Sequence, residues 1–271
     1  MKQLILCCLC AMILFSCSEG KDTPAPAVLI DSYAAKYMVH PKRGAFYTHL
    51  GTYTLEYKNG KVNKRTGVPE CMVNGSCQEQ PAVIDEVSYR DNIIRIANKS
   101  SMEDWGILRE EWLYGLKNHD QPAYLIYKAE NRRMYDSLSY IYHTNGKLNK
   151  IEGFSIYRDE VELVVNRDIA KDFFFDASGN LERVETRRIL DDDGFVLHVV
   201  VEKFENYDNA VNPFKGMFMF EDTYYRSLSQ NNFRRYRKEE IEVRSGAVIS
   251  SHGKDWMLEY DAAGRPVFDK P

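Results

Sequence analysis

The sequence predicts a mainly β fold: an antiparallel twisted sheet or sandwich built from successive hairpins, with one or two short helices. Three observations predict it. A unit made of aromatic residues, a short turn and a glycine recurs four times. Gly, Asn and Asp turn signals separate runs in which apolar and polar residues alternate, the period of a half-buried strand. Only two stretches carry apolar residues at helical spacing.

In chain order, Tyr53-Thr54-Leu55-Glu56-Tyr57 leads through Asn59-Gly60 into Lys61-Val62. Asn-Gly favours the tight two-residue hairpin turn. This unit is one residue shorter between aromatic and glycine than the others, so its register is expected to differ. Residues 83–96, broken at Tyr89-Arg90-Asp91-Asn92, read as a second hairpin. A helix is expected next: Ser101 suits an N-cap, Glu103 and Asp104 the first turn, and Trp105, Leu108, Trp112, Leu113 and Leu116 share one helical face. Residues 123–127, 153–157 and 161–165 read as short strands. Tyr140-Ile141-Tyr142 leads through Asn145-Gly146 to Leu148, and Phe173-Phe174-Phe175-Asp176 through Ser178-Gly179 to Leu181.

Residues 181–190 and 195–204 flank Asp191-Asp192-Asp193-Gly194, a hairpin loop. A second helix is expected over 218–228. Residues 241–243 and 247–250 flank Ser245-Gly246. Leu258-Glu259-Tyr260-Asp261 then leads through Ala263-Gly264 to Val267. Asp at the start and Gly at the end of the last two aromatic units suit a type I turn. Gly60, Gly146, Gly179 and Gly264 are expected to take the positive φ that reverses the chain. Their uneven spacing excludes the constant period of a solenoid.

The N-terminus carries an address. Lys2, an apolar stretch over 4–15 and then Ser16-Cys17 have the layout of a secretory signal peptide. The stretch is shorter than the ~20 apolar residues of a membrane-spanning helix. With a cysteine at the cut, Leu14-Phe15-Ser16-Cys17 resembles the lipobox of bacterial lipoproteins. The resemblance implies removal of residues 1–16 and lipidation of Cys17. Residues 17–27, polar and containing Pro24 and Pro26, read as a tether. Residues 28–271 read as a single β-rich globular domain, with a point of subdivision near 120.

Of the six cysteines, Cys7, Cys8 and Cys10 lie in the leader, which leaves Cys71 and Cys77 beside Cys17. Two readings stay open for this pair: a disulfide closed in an oxidising compartment, or two reduced thiols in a surface loop. Their spacing fits neither a paired zinc site nor a C-x-x-C redox motif.

The motifs Tyr260-Asp261-x-x-Gly264-Arg265 and Phe175-Asp176-x-x-Gly179-Asn180-Leu181 resemble YD-type β-hairpin repeats. They also resemble Bacteroidota envelope lipoproteins of unknown function, as does the stretch 205–214. The resemblance spans about half of the mature chain. It implies an exported, β-rich, lipid-anchored protein of the cell envelope, at the outer membrane and facing either the periplasm or the outside. It implies no catalytic residue.

The sequence motifs add none either. There is no G-x-S-x-G, H-E-x-x-H, P-loop or dinucleotide motif. The six histidines are dispersed. Asp191-Asp192-Asp193 fails as a calcium loop, because Val196 stands where the EF-hand needs Gly. No catalytic, metal or cofactor-binding residue is assigned, and no cofactor is expected.

A net charge of −4 with mixed signs excludes the concentrated basic face of a nucleic-acid binder. The basic run 234–238 is answered at once by Glu239-Glu240. The expected partners are the membrane, through the lipid anchor, and a glycan or envelope protein. Trp105, Trp112, Trp256 and the tyrosines can stack on sugars, or pack as core. Asp136-Ser137-Leu138 resembles a short O-glycosylation signal. The expected function is a non-enzymatic binding or interaction role; the alternatives are a glycan-active hydrolase using a carboxylate pair, and a purely structural envelope protein.

Overall fold

The computed structural model describes residues 29–38, 49–67, 70–73, 76–79, 83–99, 110–118, 121–129, 134–158, 163–189 and 196–269. The stretches expected to be leader and tether, Cys17, residues 101–109 and residues 191–194 lie outside the described residues. The elements in order are β1 (Ser32–Ala34), a 3-10 turn (Ala35–Tyr37), β2 (His49–Leu50), β3 (Thr52–Lys58), β4 (Lys61–Gly67), β5 (Glu70–Val73), β6 (Ser76–Glu79), β7 (Val83–Arg90) and β8 (Ile93–Asn98). Then follow β9 (Glu110–Leu116), β10 (Pro122–Ala129), β11 (Met134–Tyr142), β12 (Leu148–Arg158), β13 (Leu163–Phe175), β14 (Leu181–Ile189) and β15 (Val196–Glu205). The chain ends with helix α1 (Tyr224–Ser227), β16 (Arg235–Glu242), β17 (Val248–Asp255), β18 (Glu259–Tyr260) and β19 (Pro266–Val267).

Fourteen strands form one antiparallel sheet in the order β1-β3-β4-β7 and then β8 through β17 in sequence. The fold is thus mainly β, an open antiparallel sheet of successive hairpins rather than a sandwich. The strands on either side of residue 120 pair within it. Strands β2, β5 and β6 form a small separate sheet, and β18 pairs β19.

Local chemistry explains the hairpins. Asn59 (φ 54°) and Gly60 (φ 72°) are both left-handed, the two-residue turn that matches strand twist; Lys58 pairs Lys61 directly across it. Gly146 (φ 80°), Gly179 (φ 88°) and Gly264 (φ 73°) sit instead in longer connections. There Asp176 accepts the Asn180 amide (2.8 Å), and Asp261 accepts those of Ala263 (2.9 Å) and Arg265 (2.8 Å).

Two expectations are corrected. The helix expected over 101–116 does not include 110–116, which is β9, paired on one side with β8 and on the other with β10. Trp112, Tyr114 and Leu116 also satisfy a period of two, and two neighbouring strands supply the backbone partners that decide for the strand. The second expected helix shrinks from 218–228 to the single turn α1, with turns before it.

The segment 206–234, between β15 and β16, decides the shape of the sheet. Asp222 ion-pairs Arg65 of β4 (2.7 Å), and Tyr225 donates to Glu202 of β15 (2.7 Å). On a flat sheet those strands, nine steps apart, would be ~43 Å from each other. Residues 222 and 225 lie at most ~11 Å apart. The sheet is therefore curled into a trough, and the segment lies along its floor.

The floor is fastened at both ends and in the middle. Arg65 also binds Asp85 (2.6 Å) and Tyr33 Oη (3.1 Å), and stacks on Phe220 and Tyr53. Burial alone would lower its pKa, but Asp222, Tyr33 and Asp85 outweigh burial and raise it. Arg226 donates to the carbonyls of Tyr37 (2.7 Å) and Phe233 (3.1 Å), beneath the rings of Phe233, Trp256 and Phe268. The terminal segments join this core: Phe214 packs edge-on against Tyr33 and Phe268, and Trp256 Nε1 donates to Lys36 O (2.8 Å).

Candidate ligand-binding cavity

Between the floor and the inner face of β9–β13 lies a cavity of about 430 Å³, within the size range of small-molecule sites. Strand register arranges its wall in rows. The outer row runs Trp112, Tyr127, Asp136, Ser155, each directly opposite the next. The middle row runs Tyr114, Leu125, Leu138, Gly153, Ile169. The inner row runs Tyr140, Ile151, Lys171. Phe218, Glu221 and Tyr224 close the floor.

Each row has its own chemistry. In the outer row the Trp112 and Tyr127 rings lie 5.7 Å apart at 49°, followed by a carboxylate and a hydroxyl. Asp168 joins this row through a bulge. Ile169 pairs with Gly153 and Arg167 with Phe154, so Asp168 has no cross-strand partner. A bulge re-aims a side chain in this way; Asp168 accepts a hydrogen bond from Ser155 and lines the cavity.

The middle row is apolar except for Tyr114, whose hydroxyl is turned to Met219 O (3.3 Å). Gly153 is required there: a Cβ would run into Ile169 and come within 3.1 Å of Leu138. At the inner end Lys171 reaches Tyr225 Oη (3.4 Å). Burial holds the phenols of Tyr114, Tyr140 and Tyr224 well above their usual pKa, so they are neutral at neutral pH. The buried Tyr224 hydroxyl has no hydrogen-bond partner among the described residues.

Below the wall, Glu202 is buried and accepts one hydrogen bond each from Tyr225 and Tyr236 (both 2.7 Å). Burial first, and then the Glu202 charge, raise the pKa of both tyrosines. This cluster fastens the floor to β15 and β16 and lies outside the cavity lining.

Of the residues singled out from sequence, a few line the cavity and the others lie elsewhere. Gly60, Gly146, Gly179 and Gly264 are in turns, and none lines the cavity. The backbone register sets Cys71 opposite Gln78 and Cys77 opposite Met72; the cysteine side chains lie outside the described part. Of the tryptophans, Trp112 lines the cavity and Trp256 is packed on Phe233. Asp136 and Leu138 of the expected glycosylation signal belong to the wall. All of the basic run 234–238 but Arg234 falls in β16, where Arg235 (2.6 Å) and Arg237 (3.0 Å) pair with Asp255. Among the described residues no His, Cys, Asp and Glu group has metal-site geometry. Asp168, Lys171, Glu221 and Tyr224 went unnoticed in the sequence, where nothing but an interrupted alternation around Asp168-Ile169 marks them.

No protein-family model and no curated protein matches this chain. Solved structures do. A porin-like protein from Bacteroides uniformis is similar with a TM-score of 0.52 at 12% identity, over 89% of this chain and 89% of its own. A porin-like protein from Bacteroides vulgatus is similar with a TM-score of 0.51 at 15% identity, over 88% of this chain and 91% of its own. At such identities the likeness is one of fold.

Proposed function

We propose that this chain is a lipoprotein of the cell envelope, anchored through Cys17, that binds a small ligand in the cavity of its trough. The observation that carries the binding role is the wall itself. Five strands contribute an apolar belt beneath a rim of aromatic and acidic groups, and such a belt left unfilled loses contacts that a ligand supplies. The leader layout and lipobox support the anchor, residues 17–27 serve as the tether, and the Bacteroides porin-like neighbours support an envelope setting. Among the described residues no helix is long and apolar enough to cross a membrane. Cys71 and Cys77 are proposed to be disulfide-linked after export.

Two measurements test these parts separately. Palmitate label should enter the wild-type chain and be absent from Cys17→Ala; label in the variant refutes the anchor. Solvent extraction of the chain purified from envelopes should release a small molecule that Leu138→Trp, with its cavity filled, does not carry. Identical extracts refute the binding site. The glycan-hydrolase reading draws on one observation, that Asp136, Asp168 and Glu221 line a single cavity. Glycan cleavage lost in Asp168→Asn would favour it.

A further inference from the structure

We propose that the cavity selects an amphipathic cation: an ammonium head at the rim and an apolar body along the belt. This rests on the cavity being a binding site and adds the class of ligand.

The rim argues for the head. Trp112 and Tyr127 stand side by side, and aromatic faces attract a cation held against them. Asp136 is the next residue along the same row. It is exposed and has no hydrogen-bond or ion-pair partner among the described residues. Asp168 adds a second carboxylate close by through its bulge. Among the described residues the lining holds one cation, Lys171, which lies two rows inward and reaches toward Tyr225.

The belt argues against the other classes. Leu125, Leu138, Gly153 and Ile169 offer no polar side-chain atom. A saccharide buried there would leave its hydroxyls unpaired. A fatty acid would fit the belt, but its carboxylate would meet Asp136 and Asp168. An uncharged alcohol fits and gains nothing from the rim. An alkylamine satisfies both.

The test titrates the full chain with decylamine, decanol, decanoate and maltose, each below any micelle concentration, by calorimetry. Decylamine should bind about tenfold more tightly than decanol, with decanoate weaker still and maltose silent. Asp136→Asn, at an exposed position, should bring decylamine down to the affinity of decanol and leave decanol unchanged. Decanol or decanoate binding as well as the amine overturns the cation class while leaving the cavity a binding site. An unchanged amine affinity in Asp136→Asn overturns the placement of the head. No binding of any of the four overturns the binding site itself.

Discussion

Arg226 has almost no exposed surface and, among the described residues, pairs with no carboxylate; it donates to the carbonyls of Tyr37 and Phe233. Burial lowers its pKa. Arg226→Ala would orphan those carbonyls and open a hole among Phe233, Trp256 and Phe268. Such losses cost ~3 kcal/mol or more, and urea unfolding followed by circular dichroism should show a clear drop in midpoint. Tyr224→Phe should go the other way. Its hydroxyl is buried without a partner among the described residues, so removing it is expected to be neutral or to stabilise by up to ~1 kcal/mol in the same assay. Neither residue stands out in the sequence. An arginine after two tyrosines reads as the polar face of a helix, and only the packing of the two chain ends over it makes it interior.

At the scale of elements, two glycines serve different needs. Gly60 is left-handed, and a Cβ there would meet open space. Gly60→Ala should therefore cost only the conformational penalty, ~1 kcal/mol, with alkylamine binding unchanged. Gly153 lies in a regular strand but lets Ile169 approach. Gly153→Val should cost ~1–3 kcal/mol through overpacking and weaken binding by filling the belt; calorimetry on both variants separates the effects. The hairpin at Asn59-Gly60 was legible because its turn chemistry lies within four consecutive residues. Strand β9 was not. Trp112, Leu113 and Leu116 fit a helix, Trp112, Tyr114 and Leu116 fit a strand, and the choice rests with β8 and β10. Within the segment 206–234 the sequence predicts a helix over 218–228, of which only the turn Tyr224–Ser227 forms; the contacts of the segment with β4 and β15 have no local signature.

At the scale of the whole molecule, the many buried tyrosines couple folding to alkaline pH. Burial raises the pKa of Tyr33, Tyr140, Tyr224 and Tyr225 well above the usual phenol value of about 10, and that of Tyr89 to about 12. The unfolded chain releases these protons near pH 10 and the folded chain keeps them. The unfolded state thus binds fewer protons above pH 10. Stability is intact below that value and falls as pH rises from there toward the folded-state values. Each such phenol removes up to ~1.4 kcal/mol per pH unit. In an alkaline titration, phenolate absorbance should rise in two stages: exposed tyrosines first, the buried set only together with loss of the far-UV circular dichroism signal. A single smooth rise with the fold intact would contradict this.

The sequence by itself determined many of the strands, most of their turns and the antiparallel succession, because alternation and positive-φ turns are properties of a few neighbouring residues. The tertiary structure alone decided that the sheet curls, that an irregular segment lies in its trough, and that Trp112, Tyr127, Asp136, Ser155 and Asp168 meet at one rim. Those residues come from five strands and are brought into line by register and by one bulge. Register is a relation between segments that pair across the sheet, set by which face each strand buries and by the turns between strands.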